Sequence, residues 1–355
     1  MPKTLLIDGE WNLKRNFKKR TELYSYKGEH CGGTFGFLET LGMAINKILP
    51  DRVIVMWDGD MSGKMRFDIY PLYKLGHKSW ELEDYIKTEK QITDELKSRV
   101  SCNNQKLLVK NLIDGLFIRQ AEVDLIEGDD LIALYTLTRE VDEEIYIYSR
   151  DRDYHQLIDD NVFVLNPNHN FQPGNTAPML FSINNFKKIF GYTHKNSLLL
   201  KCIEGDESDN INGIPGVALK TILKYFPTFA DEEYNIDRII EEAVEIYSNK
   251  KKSQTMKAIA AIIGSRSLVN LNKILMDLKN PMVNEEAIQE VDTIRHCVLA
   301  KENGQIDRSI QDVMHEVVKE GYVRHMWNND INHFFLPYNR IAVKEKEYTK
   351  KILND

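Results

Sequence analysis

Paired cysteines are missing from this 355-residue chain. Its four thiols, Cys31, Cys102, Cys202 and Cys297, are scattered and form no CxxC pair, which excludes a zinc ribbon and a disulfide framework and leaves four reduced thiols. Long hydrophobic runs are missing too. Apolar stretches such as Val53–Trp57 and Ile145–Tyr148 fall far short of the roughly 20 residues that a membrane helix needs. The first residues, Met1 to Asp8, hold no long apolar core and no small-residue cleavage site, so a cytoplasmic protein without a secretory signal is expected. Internal repeats and low-complexity segments are absent. So is any excess of positive charge: 47 Lys and Arg stand against 54 Asp and Glu, a net −7, the wrong sign for a protein that holds a polyanion over its whole surface.

The composition that remains, 42% hydrophobic and 28% charged, is that of an ordinary globular protein large enough for a full core and a smaller annex. The acids are unevenly placed. Setting aside nine that are read below as metal ligands and their supports turns the remaining balance positive. Basic clusters then stand out at Lys14-Arg15 with Lys18-Lys19-Arg20, and at Lys250-Lys251-Lys252 with Lys257. Each cluster alone reads equally well as a solvated face.

Thr4–Ile7, Val53–Trp57 and Glu144–Tyr148 are short β-prone runs that lead into Asp8, Asp58 and Ser149-Arg150-Asp151. Stretches with helical spacing, Phe37–Leu49 and Asp129–Leu137, lie between them. Strands alternating with helices predict an α/β core built on a parallel sheet. Ligands of such sheets bind beyond the carboxyl ends of the strands, so the acids are expected to meet at one edge. Residues 76–110 are highly charged, with Glu81, Glu83 and Asp84 early and Lys97 and Arg99 late, which suits the macrodipole of a helix near 83–99. Either a solvated surface helix or an arch carrying lysines over a substrate fits. The core is expected over 1–182, a helical lobe over 183–285, and an extension without a recognisable motif over 286–355.

Five segments carry the chemistry: Leu5-Leu6-Ile7-Asp8-Gly9, Val55-Met56-Trp57-Asp58-Gly59, Ile126-Glu127-Gly128-Asp129-Asp130, Ser149-Arg150-Asp151-Arg152-Asp153 and Gly205-Asp206-Glu207-Ser208-Asp209-Asn210. An Asp after a strand is often only a turn or cap residue. The pair Asp151-x-Asp153 says more, because alternate residues of an extended chain face the same way. Packed together, such carboxylates would raise one another's pKa values unless cations sat among them. Magnesium prefers hard oxygen ligands, and two such ions about 4 Å apart stabilise both the attacking and the leaving oxygen of a phosphodiester.

In their order and spacing these segments resemble the 5′–3′ exonuclease and flap endonuclease family, which includes the N-terminal domain of bacterial DNA polymerase I and stand-alone phage exonucleases. The resemblance runs over roughly residues 4–228. Glu127-Gly-Asp-Asp is similar to the family's E-A-D-D, Ser149-Arg-Asp-Arg-Asp to its S-x-D-x-D, and Gly205-Asp-Glu-Ser-Asp-Asn-Ile211 to its G-D-x-x-D-N-I. The resemblance implies a PIN-like nuclease core. It places Asp8, Asp58, Glu127 and Asp129 on a first metal ion, with Asp129 between the two ions, and Asp151, Asp153 and Asp206 on a second. Asp130 and Asp209 would assist the second. Asp60, two residues past Asp58, is the less fitting alternative because Asp58 follows the β-run directly.

Arg66-Phe-Asp-Ile-Tyr70-Pro71-Leu-Tyr73-Lys74 resembles the family's R-x-x-x-Y-P-x-Y-K signature. A lysine there can neutralise the scissile phosphate, and an aromatic can stack on an unpaired base; the expectation falls on Lys74 and Arg66 for catalysis and on Tyr73 for DNA. Gly76-His77-Lys78 stands where the family carries an arginine, which leaves Lys78 as the candidate for that phosphate contact. Residues 76–110 occupy the place of the family's helical arch, which assigns Lys87 and Lys90 to the free 5′ end. Gly213-Ile-Pro-Gly216-Val-Ala-Leu-Lys220 resembles the hairpin of a helix–hairpin–helix (H3TH) element over 205–226, which grips duplex backbone without reading sequence. The family has a second glycine where Ala218 stands.

The reading is a structure-specific 5′ nuclease for DNA replication or repair. It would work with two Mg2+ ions, Mn2+ substituting, and with K+ at the hairpin. Its substrates would be 5′-ended or branched duplex DNA, 5′ flaps and RNA–DNA hybrids, with no membrane partner. It would act as a monomer in a bacterial or phage-infected cell. A PIN-type ribonuclease shares the acidic edge but lacks the 213–221 hairpin, and a non-catalytic scaffold would have lost one of the acids.

Overall fold

The computed structural model describes residues 1–75, 89–167, 179–249, 256–299 and 308–354. The chain divides into two compact units: one of Met1–Asp60, Ile86–Ser149 and Val283–Asp355, the other of Met61–Tyr85 and Arg150–Met282.

The first unit contains four strands: β1 (Lys3–Asp8), β2 (Arg52–Asp58), β3 (Arg119–Val123) and β4 (Glu144–Tyr148). They pair in parallel in the order β3-β2-β1-β4. Leu5, Leu6 and Ile7 in β1 and Val53 to Trp57 in β2 are all fully buried. Such uninterrupted apolar runs belong to a parallel sheet covered on both faces. Leu5 lies opposite Val53 and Tyr146, and Asp58 opposite Val123. The strands therefore finish close together, and the acids that end β1 and β2 share an edge. The helix Gly128–Leu137 packs on β2 and β1, and Gly9–Lys19 packs on Gly32–Ile48. Gly59 makes the β2 exit possible: a Cβ there would stand 1.8 Å from the Val123 carbonyl oxygen.

β3 is not expected from the sequence. Its first, third and fifth residues are buried, and the first is Arg119, only 1% exposed. Its guanidinium meets Glu345 in a two-point pair, Nε to Oε1 at 2.9 Å and Nη2 to Oε2 at 2.8 Å, while Nη1 donates to the Ile294 carbonyl at 2.6 Å. Glu345 lies on the helix Ile331–Asn354, which packs on Gly32–Ile48, and the helix Glu285–His296 packs on β3. Residues 283–355 thus complete the unit that contains the sheet.

The helix expected near 83–99 is found as Glu89–Gly115, with 76–88 outside the described residues. Among the described residues no single helix is long and apolar enough to cross a membrane.

The second unit contains the antiparallel pair β5 (Val162–Asn166) and β6 (Met179–Phe181), and the expected run of short helices. Phe181, Phe186 and Phe190 gather round the His155 ring at 4.8–5.4 Å between centroids. The helices Ser197–Glu204 and Leu219–Tyr225 bracket a small antiparallel pair, β7 (Gly205–Asp206) and β8 (Ile211–Asn212). Gly213 is required where this turn closes on the preceding helix, since a Cβ would stand 2.0 Å from the Glu204 carbonyl oxygen.

Candidate active site

Each unit carries one group of the predicted acids. In the first, Asp8 caps the helix Gly9–Lys19: its Oδ1 accepts from the Trp11 amide at 3.0 Å and its Oδ2 from the Ser149 hydroxyl at 3.3 Å. β1 and the residue after β4 are thereby fixed to one carboxylate. Asp58 Oδ1 accepts from the Gly128 amide at 2.8 Å, which ties the end of β2 to the loop that holds Glu127. Glu127 and Asp130 are 3% and 1% exposed. Ligand oxygens of Glu127, Asp129 and Asp130 lie within 4.8 Å of one another. Three carboxylates this close, two of them buried, suit a divalent cation held by oxygen ligands. Asp60 takes another part. Its amide donates to Asp124 at 3.3 Å and its carbonyl accepts from Leu125, so it shapes the loop after β2.

In the second unit, the Asp153 amide donates to Asp151 Oδ1 at 2.9 Å. Asp206 Oδ1 accepts from the amides of Ser208 at 2.8 Å and Asp209 at 3.3 Å. Between Asp153 and Asp206 stands Lys201, whose ammonium pairs with Asp153 and lies 2.7 Å from Asp206 Oδ2. Burial pushes the Asp153 carboxyl well above the usual carboxylate range and the Asp151 charge adds to this, with Lys201 opposing both. Burial acts upward on Asp206 as well, but there Lys201 wins and the net shift is down. This group of acids demands positive charge, and a divalent cation fits it. Lys201 is not among the residues expected at the site. Its signal was a lone cation in the apolar run Leu198-Leu199-Leu200-Lys201-Cys202-Ile203, five residues before Asp206.

The Arg66–Lys74 segment is placed in part otherwise than expected. Arg66 is 4% exposed and its Nε donates to the Leu275 carbonyl at 2.8 Å. That bond braces Arg66 within its unit. The Tyr73 ring is 4% exposed, its hydroxyl donates to Asp209 Oδ2 at 3.3 Å, and the Lys74 ammonium lies 5.1 Å from its centroid. The ring expected to stack on an unpaired base is thus enclosed here. Lys74 lines a cavity of about 210 Å3 with Met61, Gly63, Phe67 and Tyr73, and its amide donates to the Asp209 carbonyl at 2.9 Å. The Lys74 main chain is thus fixed directly to Asp209.

In the hairpin, Gly216 takes φ +74° and Lys220 is exposed on the helix Leu219–Tyr225. Lys97 is exposed on Glu89–Gly115. The side chains of Lys78, Lys87 and Lys90 lie outside the described residues.

Residues 3–191 match the family described as 5′-3′ exonuclease, N-terminal resolvase-like domain. A 5′-3′ exonuclease of Mycoplasmopsis pulmonis is 27% identical over 82% of this chain and 90% of its own length. The DNA polymerase I of Bacillus subtilis is 25% identical over 71% of this chain, which spans about a quarter of that enzyme, 26%. Among solved structures, the bacteriophage T5 D15 flap endonuclease, in a pseudo-enzyme-product complex with DNA and metal ions, is similar in fold. Its TM-score is 0.54 at 18% identity, covering 88% of this chain and 98% of the other. The family match takes in both strands that end in acids, the Glu127–Asp130 cluster and Asp151 with Asp153, and the chain belongs to the 5′-3′ exonuclease family.

Proposed function

We propose that the chain hydrolyses phosphodiesters at 5′ ends and 5′ flaps of duplex DNA with two magnesium ions, and that RNA–DNA hybrids are substrates too. The observation that carries this reading is the Glu127, Asp129 and Asp130 cluster, with Glu127 and Asp130 buried, beside strand ends that present Asp8 and Asp58. The metal and DNA of the T5 enzyme's complex support it.

Asp8, Asp58, Glu127 and Asp129 would hold one ion, and Asp151, Asp153 and Asp206 the other, with Asp130 and Asp209 in support. Bound magnesium supplies hydroxide at neutral pH and offsets the charge that builds on the phosphate oxygens. The protein's own part is to hold its carboxylates ready before substrate arrives. Asp8 and Asp58 do so through the Trp11 and Gly128 amides, and Asp206 through Ser208 and Asp209. Lys74 is assigned to the scissile phosphate, where a cation stabilises charge that grows in the transition state. Gly213, Gly216 and Lys220 form a helix–hairpin–helix grip on duplex backbone, with potassium at the turn. Lys78, Lys87 and Lys90 are assigned to the single-stranded 5′ end, and the chain works as a monomer.

The test is product sizing on a 5′-flap, a nicked duplex and an RNA–DNA hybrid, with magnesium and with EDTA. Short 5′-phosphorylated products that appear only with magnesium are expected. Intact substrates at saturating magnesium, or cleavage that persists in EDTA, would refute the reading.

A further inference from the structure

On the helix Glu89–Gly115, Lys106 is the point where three parts of the first unit meet. Its ammonium lies 3.2 Å from Glu10 Oε2, 3.0 Å from Glu122 Oε1 and 3.2 Å from the main-chain carbonyl oxygen of Asp58. Glu10 stands in the first turn of the helix that Asp8 caps. Glu122 stands on β3, directly opposite Trp57. An ammonium has three donors, and here each faces a different element: the helix after β1, the end of β2, and β3. The ammonium also lies 5.5 Å from the centroid of the fully buried Trp57 ring.

The tether is built from more than this residue. Lys110, one turn on, pairs with Glu122, and the Gln120 side chain donates from Nε2 to the Lys110 carbonyl at 2.9 Å. Gln120 in turn accepts from Trp57 Nε1 at 3.1 Å. On the other side Lys14 pairs with Glu10 at 3.0 Å. The helix is thus fastened to the peptide that bears Asp58, whose carboxylate is already fixed by the Gly128 amide.

We infer that Lys106 is a positioning residue for magnesium at the Asp58 and Glu127 carboxylates, acting through the Asp58 peptide and touching neither metal nor DNA. The inference rests on the proposed function. Its side chain is only 19% exposed, and its ammonium donates to the Asp58 carbonyl with the Glu10 and Glu122 carboxylates beside it, an enclosure that leaves little room for a phosphate. Magnesium tolerates little departure from octahedral geometry, so a small shift of the Asp58 peptide would weaken its binding. Charge alone argues the opposite way. Removing one cation near the acids would draw a divalent ion in more tightly. The sign of the change therefore separates positioning from electrostatics.

The experiment is a magnesium titration of the thermal midpoint of full-length Lys106→Met, repeated as a titration of flap-cleavage rate. Wild type comes first. If it shows no magnesium-dependent cleavage, the functional reading fails and this role fails with it. If wild type cleaves, the half-saturating magnesium of Lys106→Met should rise about tenfold or more, as it does when a supporting residue behind a metal ligand is lost. KM for DNA and its salt dependence should stay within about twofold. Manganese, less strict in geometry, should restore part of the rate. An unchanged or lower half-saturating magnesium would overturn the inference, as would equal losses in magnesium and manganese. A raised KM with a shallower salt slope would make Lys106 a DNA contact and overturn it too. If Lys106→Met does not fold, Lys106→Gln, which keeps a donor, is held to the same signs at about a threefold rise.

Discussion

Replacing Lys201 by methionine keeps the aliphatic stem and removes the ammonium that Asp153 and Asp206 share. The three side chains are 20%, 14% and 16% exposed, so the acids lose a partner they cannot fully replace with water. Breaking a buried pair costs about 3–5 kcal/mol. Discounted for the residual solvent here, a loss of about 2–3 kcal/mol is expected in EDTA, or about 4–12 °C in thermal midpoint for a unit of this size. Magnesium should reverse the order. The Lys201 ammonium lies 2.7 Å from Asp206 Oδ2, and magnesium binds carboxylate oxygens at about 2.1 Å, so the two cations would stand roughly 5 Å apart. Their repulsion is then roughly 1.7 kcal/mol at a dielectric constant of about 80, and more in the protein. Without that repulsion the variant should bind magnesium about tenfold more tightly or better. The assay is differential scanning fluorimetry of both proteins across a magnesium series. Destabilisation in EDTA together with a larger rise on adding magnesium is the expected pair of results. An unchanged or weaker magnesium midpoint would refute the competition between Lys201 and the metal.

Two further outcomes are expected. Glu345→Gln should destabilise the first unit by about 3–5 kcal/mol, because it leaves the Arg119 guanidinium buried without its counter-charge; replacing both residues by methionine should recover much of that loss in urea unfolding. Lys220→Ala should weaken binding to every substrate that contains duplex, whatever its sequence, and lower the salt slope by about one; an unchanged slope in a salt titration of affinity would remove Lys220 from the interface.

How far sequence reached depended on whether the determining contacts were local. β1, β2 and β4 were legible because each is an apolar, β-prone run that ends beside an acid. The joining of Glu127, Asp129 and Asp130 was legible because they fall within four residues at the start of a helix. β3 was not, since Arg119 is tolerable inside the sheet only with Glu345 beside it, and no pattern in residues 119–123 announces that partner. Lys106 and Lys201 stayed hidden for the same reason, because a lysine's neighbours in sequence do not say which carboxylates it will meet in space. The Arg66–Lys74 motif shows the converse. Its residues could be recognised, yet recognition did not reveal that Arg66 and Tyr73 would be buried.

The pairing of Arg119 with Glu345 also sets a timetable. The two are 226 residues apart. At about 5–20 residues per second, ribosomal synthesis needs roughly 11–45 s to pass from one to the other. Through that interval β1 and β2 are already made and β3 and β4 follow within its first 30 residues, while the arginine that opens β3 has no counter-ion and the Gly32–Ile48 helix lacks the cover of Ile331–Asn354. The unit that presents Asp8, Asp58 and Glu127 therefore matures late, after the second unit's acids have been synthesised. A nascent chain thus has all its acids before Glu345 is there to meet Arg119 and before the Ile331–Asn354 helix can cover Gly32–Ile48.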